Sequence, residues 1–341
     1  MRNNTRRRVV TVGVAATALV LAACSSSGSG AASVSSPMST PGTASTTPRT
    51  TAPKATAPTS SAPAARRDPL TGLARNGNPV IAVKLENTAA AMPQFGLSAA
   101  DLVFVEEVEG SLTRLMPVYQ SRFPRRVEPV RSVRSTDIDL LPMFGKPLLV
   151  YSGVASQVRP KLSNASITLD SQGTRDPGRV APHNLYFDLA ALSKRKGLPT
   201  SRDIGLRFGS ATRLKTATRE TQFTVQIGGD RFSFSYKANR YLPSWNGRAY
   251  TDSGAGGQQV TASNVLVLKT RTVSDGYKDP AGTPVYKTVS VGKGSLTLYR
   301  DGRRVTGTWD RTAKNNPFRL RDDRGRQLQL ARGKTWILLQ S

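Results

Sequence analysis

The sequence predicts an α+β fold, in which a mixed-sheet first part at residues 68–210 is followed by a β-rich second part at residues 211–341. Two patterns support this prediction. In the first part, apolar segments rich in β-branched residues, such as 79–85 and 147–151, alternate with short segments of helical character. From about Gly209 onward, short strand-like segments are separated by turn dipeptides.

The segment 102–119 is predicted to form a hairpin, because Gly110-Ser111 suits a two-residue turn with glycine first. This register places Glu107 opposite Arg114, which is a favourable cross-strand pair. It also places Glu106 on the apolar face of its strand. A carboxylate there needs a buried partner or lies at the wet end of the strand, so Glu106 has either a structural role or a role facing a ligand.

Helices are predicted to be few and short. Pro142 limits the segment after Thr136 to about one helical turn, because proline is not tolerated inside a helix. Asp188 has the character of an N-cap, and Gly197 together with Pro199 ends the helix that follows it.

The second part is predicted to consist largely of hairpins. The expected strands are 222–227, 231–236, 264–269, 287–291, 295–300, 306–309, 327–330 and 335–339. Asp301-Gly302 is a strong turn signal between two of them. Trp309 and Trp336 are interpreted as core anchors, and stacking of their rings on a sugar is the alternative.

The N-terminal residues 1–24 resemble the signal peptide of a bacterial lipoprotein. A basic region is followed by the apolar residues 9–20, which are too few for an ordinary spanning helix, and by Leu21-Ala22-Ala23-Cys24. Cys24 is therefore the predicted lipidation site. The predicted location is extracytoplasmic, with a lipid anchor in the outer face of the cytoplasmic membrane. Ordinary secretion after cleavage near an Ala-x-Ala site is the alternative.

Residues 25–65 are predicted to be a disordered linker. All but four of them are Ser, Thr, Ala, Gly or Pro, a composition that cannot bury a core. As a random coil the linker has a mean reach of roughly 35 Å. The 276 residues that follow it in this 341-residue chain are enough for one large domain or two modest ones.

The chain is strongly basic, with a formal net charge of +27. Six basic residues and no acid precede residue 66, which leaves +21 on the remainder. A field of this size attracts polyanions, which in a bacterial envelope are anionic lipid head groups and phosphate-rich wall polymers. Nucleic acid is the cytoplasmic alternative and is not expected as a partner. A general arginine bias with solvated side chains is the other explanation of the charge.

The sequence excludes several kinds of chemistry. Cys24 is the only cysteine and His183 the only histidine, so one chain cannot build a Cys/His zinc site of the usual kind. After lipidation no thiol remains for catalysis. The sequence has no P-loop, no dinucleotide fingerprint and no Gly-x-Ser-x-Gly. We therefore expect no cofactor and no metal.

The stretch 129–142 is the predicted floor of a binding site. Arg131 and Arg134 are three residues apart, and guanidinium forks match a carboxylate or a phosphate. Two arginines in one loop could thus hold one anion. Asp137 and Asp139 follow closely, and internal pairing of the arginines with these acids is the alternative.

A second polar cluster is predicted in the loop at 175–186. It contains His183, the one side chain here that titrates near neutral pH when unperturbed, although a lone histidine more often has a structural role. Glu86 and Asn87 end a predicted strand, where loops usually place binding groups. No catalytic residue is assigned. The candidate binding residues are Glu86, Asn87, Glu106, Glu107, Arg131, Arg134, Asp137, Asp139, Arg175, His183, Asn184 and Tyr186.

Several stretches together form the pattern of a known family. They are Asp68-Pro69-Leu70-Thr71-Gly72, Val83-Lys84-Leu85-Glu86-Asn87, residues 101–109, Pro129-Val130-Arg131-Ser132 with Arg134 and Asp137-Ile138-Asp139, Ala181-Pro182-His183-Asn184-Leu185-Tyr186, and in the second part Gly307, Trp309, Arg311, Gly325, Gly333 and Trp336. On these residues the chain resembles the YerB family of Gram-positive bacterial lipoproteins, a domain of unknown function in two parts. Ser111 stands where the family typically has a second glycine. The resemblance implies an exported, membrane-anchored envelope protein and supplies no reaction.

Three hypotheses for function follow. The first is a non-enzymatic envelope lipoprotein that binds an anionic wall component or a partner protein through the two polar clusters. The second is a hydrolase or transferase acting on wall glycan or peptide, with acid–base candidates Glu106 or Glu107, Asp137 or Asp139, and His183. The third is a spacer that its charge keeps near the membrane.

Overall fold

The computed structural model describes residues 67–210 and 217–341. These residues belong to one compact unit. The predicted signal peptide, Cys24 and the predicted linker at 25–65 lie outside the described residues.

Strands dominate the described residues, and helices are short. The strands are β1 (Ile81–Val83), β2 (Leu85–Asn87), β3 (Leu102–Glu107), β4 (Thr113–Tyr119), β5 (Leu148–Val150), β6 (Thr168–Asp170), β7 (Thr174–Arg175), β8 (Leu185–Tyr186), β9 (Thr218–Arg219), β10 (Gln222–Ile227), β11 (Asp230–Lys237), β12 (Arg240–Trp245), β13 (Arg248–Ala249), β14 (Thr251–Asp252), β15 (Gln258–Gln259), β16 (Asn264–Lys269), β17 (Thr272–Lys278), β18 (Pro284–Thr288), β19 (Gly292–Arg300), β20 (Arg303–Arg311), β21 (Arg319–Asp322) and β22 (Thr335–Gln340). The α-helices are α1 (Ser135–Leu140), α2 (Arg159–Ser163) and α3 (Leu189–Leu192), and single 3₁₀ turns lie at Ala89–Ala91, Leu97–Ala99, Glu109–Ser111, Leu141–Phe144 and Ser253–Ala255.

One mixed sheet runs through both parts of the chain. Its strand order is β21-β20-β19-β16-β22-β3-β4-β1-β5-β6, with β2 also paired to β4 and β9 to β20. The last strand, β22, lies between β16 and β3 and is parallel to both. A separate antiparallel sheet contains β10 to β13. The predicted fold class, α+β with a mixed sheet followed by a β-rich part, is confirmed. The division at residues 210 and 211 stays a prediction, and the sheet is continuous across it.

Two hydrophobic clusters cover the two faces of the central sheet. On one face the strands bury residues such as Leu85, Val105 and Leu115 against the smaller sheet. On the other face they bury residues such as Phe104 and Met116 under α1 and its neighbours. Side chains alternate between the faces with a period of two, so both faces of the central strands are apolar over most of their length.

Several predicted elements are confirmed. Strand 222–227 is β10, and Asp188 caps α3 by accepting the N–H of Ala191 at 2.9 Å. The helix ends at Leu192, earlier than the predicted glycine stop. Trp309 and Trp336 are buried core residues, which confirms the core interpretation of both.

The hairpin of β3 and β4 is present, but its predicted register is wrong by one residue. Glu107 lies opposite Thr113, and Arg114 lies opposite Glu106. The loop has three residues, because the N–H of Val108 donates to the carbonyl of Leu112 at 2.8 Å. Two consecutive loop residues, the glycine and the serine after it, have positive φ angles of 65° and 56°.

In residues 67–210 and 217–341, every helix is shorter or less apolar than one that crosses a bilayer.

Candidate functional site

Alternation along three neighbouring strands builds a charged row on one face of the central sheet. Arg114 of β4 lies directly opposite Glu86 of β2 and, on its other side, directly opposite Glu106 of β3. Lys84 precedes Glu86 by two residues and therefore points to the same face. These four residues are the charged row. The charged row lies on the same face of the sheet as the residues that α1 covers.

Lys84 is buried between two acids. Its ammonium contacts the carboxylate of Glu106 and donates to Asp137 Oδ1 at 2.9 Å, and all three side chains are almost completely buried. Burial lowers the pKa of Lys84 to about 8, although the negative charge of Asp137 opposes this. Asp137 also accepts the backbone N–H of Arg134 at 2.7 Å, which fixes the start of α1. Glu106 therefore has a structural partner, the first of its two predicted alternatives.

Arg134 is occupied by an acid that the sequence did not single out. Its Nε donates to Glu109 Oε2 at 2.7 Å, its Nη2 donates to the other carboxylate oxygen, and its Nη1 donates to the carbonyls of Ser132 and Val133. The expectation that Arg134 presents a free fork beside Arg131 is wrong. The expected alternative, pairing of its side chain with Asp137 or Asp139, is not formed either, because the turn after β3 brings Glu109 closer.

The Glu109–Arg134 pair is expected to make stability depend on pH. Burial opposes ionisation, but the bidentate bond to Arg134 outweighs it and lowers the pKa of Glu109 from 4.5 to about 2. Because the folded pKa is depressed, the stabilisation is complete above pH 4.5 and is lost as the pH falls toward 2. Glu109→Gln should reduce the free energy of unfolding by about 3 kcal/mol at pH 7. Urea unfolding should show the gap to wild type shrinking as the pH is lowered from about 5 to about 3; a constant gap would contradict the assignment.

Arg131 and His183 converge on Glu86. His183 Nδ1 lies 2.8 Å from Glu86 Oε2, and Arg131 Nη1 lies 3.4 Å from the same carboxylate. The backbone brings them together: the N–H of Val130 donates to the carbonyl of Leu185, and that of Arg131 to the carbonyl of Lys84, both at 2.8 Å. Glu86, Arg131 and His183 are called the Glu86 centre below.

The Glu86 centre is partly open and has one acid for two basic groups. The Glu86 side chain is 1% exposed, whereas those of Arg131 and His183 are 24% and 28% exposed. Since a carboxylate accepts hydrogen bonds, Nδ1 of His183 is the donor in its contact with Glu86. Arg131 reaches both oxygens of Glu86 from one nitrogen, Nη1, at 3.4 Å, whereas a bidentate pair makes two short bonds from two nitrogens. Within the described residues, Arg131 therefore has donors that Glu86 does not use.

The loop at 175–186 is organised by Arg126. This guanidinium donates to Glu128 at 2.5 and 2.8 Å, donates to Asp176, and lies over the rings of Phe95 and Tyr186, at 4.1 and 5.1 Å from the ring centroids. Within the same loop, Arg175 donates to Asn184 Oδ1 at 2.8 Å. Arg175, Asn184 and Tyr186 therefore position the loop that carries His183.

Three further predicted candidates lie in other networks. Asn87 donates to Thr113 Oγ1 and accepts from the Tyr250 hydroxyl, both at 2.7 Å. Glu107 accepts from the terminal Ser341 at 3.3 Å. Asp139 pairs with two lysines of the second part, Lys287 at 2.9 Å and Lys314 at 2.6 Å. These candidates do not join the Glu86 centre.

The residues that sequence reasoning missed are Lys84, Glu109, Arg114 and Arg126. For two of them the signal was side-chain parity. Lys84 and Glu86 are two residues apart and share one face, and a three-residue loop with Gly110 in the left-handed region sets Arg114 between two glutamates. As for metals, the described part of the chain contains no group of three or more His, Cys, Asp or Glu side chains arranged to hold an ion.

Comparisons with known proteins agree on one family. Residues 70–200 match the N-terminal domain, and residues 221–337 the C-terminal domain, of the protein family of unknown function DUF3048. The Bacillus subtilis (strain 168) protein named "Putative lipoprotein YerB" is 27% identical over 289 residues, which are 79% of this chain and 84% of that protein. The crystal structure of YerB protein from Bacillus subtilis matches with a TM-score of 0.66 and 25% identity, covering 80% of this chain and 96% of that chain.

Proposed function

Since the chain belongs to the two-part DUF3048 family that includes YerB, we propose that it is a lipid-anchored binding protein of the cell envelope. It holds an anionic wall component or a partner protein at the Glu86 centre and carries out no catalysis there. The relative's name and the signal-like sequence of residues 1–24 support the anchored location. The net charge of the chain supports an anionic ligand.

The arrangement of Arg131 is the observation that carries this proposal. The backbone of residues 130 and 131 is bonded on both sides, which fixes where the Arg131 side chain leaves the backbone. Its only ion pair within the described residues is the 3.4 Å contact with Glu86, an acid that also bonds His183. A fixed, partly exposed arginine with spare donors is a ready site for a carboxylate or phosphate group.

Co-sedimentation with purified cell-wall material tests the proposal. The full-length chain in detergent should bind, and binding should weaken as salt is raised from about 50 to about 300 mM, because exposed charges are screened. Arg131→Gln should bind less than Arg319→Gln, which removes the same charge from a side chain that is 65% exposed. Equal binding of these two variants would locate the attraction in the general charge and not in the Glu86 centre.

The predicted anchor has its own test. Cys24→Ser should abolish incorporation of radiolabelled palmitate and move the protein from the membrane fraction to the soluble fraction, since lipidation requires that thiol. Ser27→Cys in the Cys24→Ser background is the control and should not restore labelling. Unchanged membrane association of Cys24→Ser would show that the anchor lies elsewhere.

An enzyme acting on wall glycan or peptide is the second candidate, and the Glu86–His183 pair favours it. A buried carboxylate that fixes the tautomer of a half-exposed histidine is the arrangement of many general bases. Turnover of purified wall material that is lost in both Glu86→Gln and His183→Ala would support the enzyme. No turnover by wild type would leave binding as the only proposed function, and full turnover by both folded variants would show that the Glu86–His183 pair takes no part in the reaction.

A further inference from the structure

Arg114 is a buried cation that lacks an acid of its own. It is 4% exposed. Within the described residues its guanidinium makes one hydrogen bond, from Nη1 to the carbonyl of its neighbour Thr113 at 3.1 Å, and no ion pair within 4 Å. Buried charges in proteins are normally paired or bonded to several groups. Arg114 has five N–H donors, so most of its bonding capacity is unused.

The surrounding acids are all committed to other cations. Glu106 and Asp137 bond Lys84, and Glu109 bonds Arg134. Glu86, which lies opposite Arg114 on the neighbouring strand, is shared by His183 and Arg131. Within the described residues, none of these acids forms an ion pair with Arg114.

Arg114 and Arg131 both lie beside Glu86: Arg114 is directly opposite it on the neighbouring strand, and Arg131 Nη1 is 3.4 Å from its carboxylate. Burial, followed by the nearby positive charge of Arg131, lowers the pKa of Arg114 to about 10. An anion that contacts both guanidiniums would stabilise the charged form of each and offset their repulsion. Both arginines also border Glu86, whose charge would repel a dianion more than a monoanion.

We propose that Arg114 and Arg131 together bind the terminal carboxylate of a peptide. This rests on the proposed function and refines its ligand. A guanidinium that is 4% exposed is reached by a small group at the end of a chain, whereas a phosphodiester inside a polymer has a substituent on both sides. A carboxylate is also a monoanion, and its two oxygens match a guanidinium fork.

Titration calorimetry of the full-length chain in detergent tests the inference with three probes: N-acetyl-alanyl-alanine, its C-terminal amide, and dimethyl phosphate. The free acid should bind and the amide should not. Arg114→Lys and Arg131→Gln should each raise the Kd for the free acid about tenfold or more, while Arg319→Gln should leave it unchanged. Binding of the amide as tight as that of the acid, or binding of dimethyl phosphate in place of the acid, would overturn the inference.

The two proposals fail in distinguishable ways. Wall material that binds through Arg131, with no preference for acid over amide, overturns the carboxylate inference and leaves the binding function standing. Arg114→Lys keeps the charge, so a folded variant that binds the free acid as wild type does would also overturn the role of Arg114. If Arg114→Lys does not fold, Arg131→Gln with the acid and amide probes decides the question by itself.

Discussion

Replacing Lys84 by methionine should lower the free energy of unfolding by about 3–5 kcal/mol, because it leaves two buried carboxylates without their cation. Lys84 contacts Glu106, bonds Asp137 at 2.9 Å, and is 0% exposed. Removing one partner of a buried ion pair leaves an uncompensated charge in a place that water does not reach. Methionine fills much of the same volume, so the loss would report the charges and not a cavity. Chemical denaturation at pH 7 measures it.

Lys161→Met is the matched control for this prediction. Lys161 also pairs with one aspartate, Asp275, at 3.0 Å, but its side chain is 50% exposed. The side chain of Asp275 is buried but keeps its bond from the Ser135 hydroxyl at 2.6 Å, and the lysine end of the pair is open to water, so Lys161→Met should cost about 1 kcal/mol or less. A loss below about 1 kcal/mol in Lys84→Met would mean that Lys84 does not compensate the two acids, and the account of the charged row would be wrong.

Arg311→Lys should be almost as damaging, with an expected loss of about 3–5 kcal/mol, because the guanidinium joins the two family-matched parts. Arg311 is completely buried and has no acid partner within the described residues. It donates instead to backbone carbonyls on both sides, at the end of α1 and in the second part: Asp139, Leu140, Ser290, Lys314 and Asn316. Lysine keeps the charge but has three donors on one atom. Carbonyls left without donors in the interior cost about 1–3 kcal/mol each.

Arg319→Lys is the corresponding control, since Arg319 is exposed and makes a single 3.7 Å contact with Asp310. It should change the free energy of unfolding by less than about 0.5 kcal/mol. If Arg311→Lys were equally mild, the fork geometry of Arg311 would not be what joins the parts.

The elements that depend on local chemistry could be predicted from the sequence. The Asp188 N-cap is predictable because its side chain acts on the first turn of the helix next to it. The Asp301-Gly302 turn between β19 and β20 was recognised for the same reason. The position of β22 in the sheet could not be predicted. Its neighbours, β3 and β16, are distant from each other in sequence, and all three segments are similarly apolar.

The site shows the same division. Arg131, His183 and Glu86, all three predicted as candidate binding residues, lie together in the structure. That they bind a ligand stays a proposal. The partner of Arg134 could not be predicted, because it depended on the hairpin register. The composition of Glu109-Gly110-Ser111 fits a two-residue turn and a three-residue turn about equally well. The two-residue turn would place Glu107 opposite Arg114, whereas the three-residue turn places Glu106 there. A shift of one residue in the pairing of β3 with β4 therefore determines which charged side chains lie together at the site.

Residue-resolved reactivity of the arginines toward phenylglyoxal, read by mass spectrometry, tests the central claim most directly. In the free full-length chain, Arg131 should be modified, Arg134 should be protected by Glu109, and the exposed Arg319 should be modified fastest. Adding soluble wall fragments should protect Arg131 and leave Arg319 unchanged. Two results would contradict an open anion site at the Glu86 centre. One is that Arg131 is as unreactive as Arg134 in the free chain, and the other is that the fragments protect Arg319 but not Arg131.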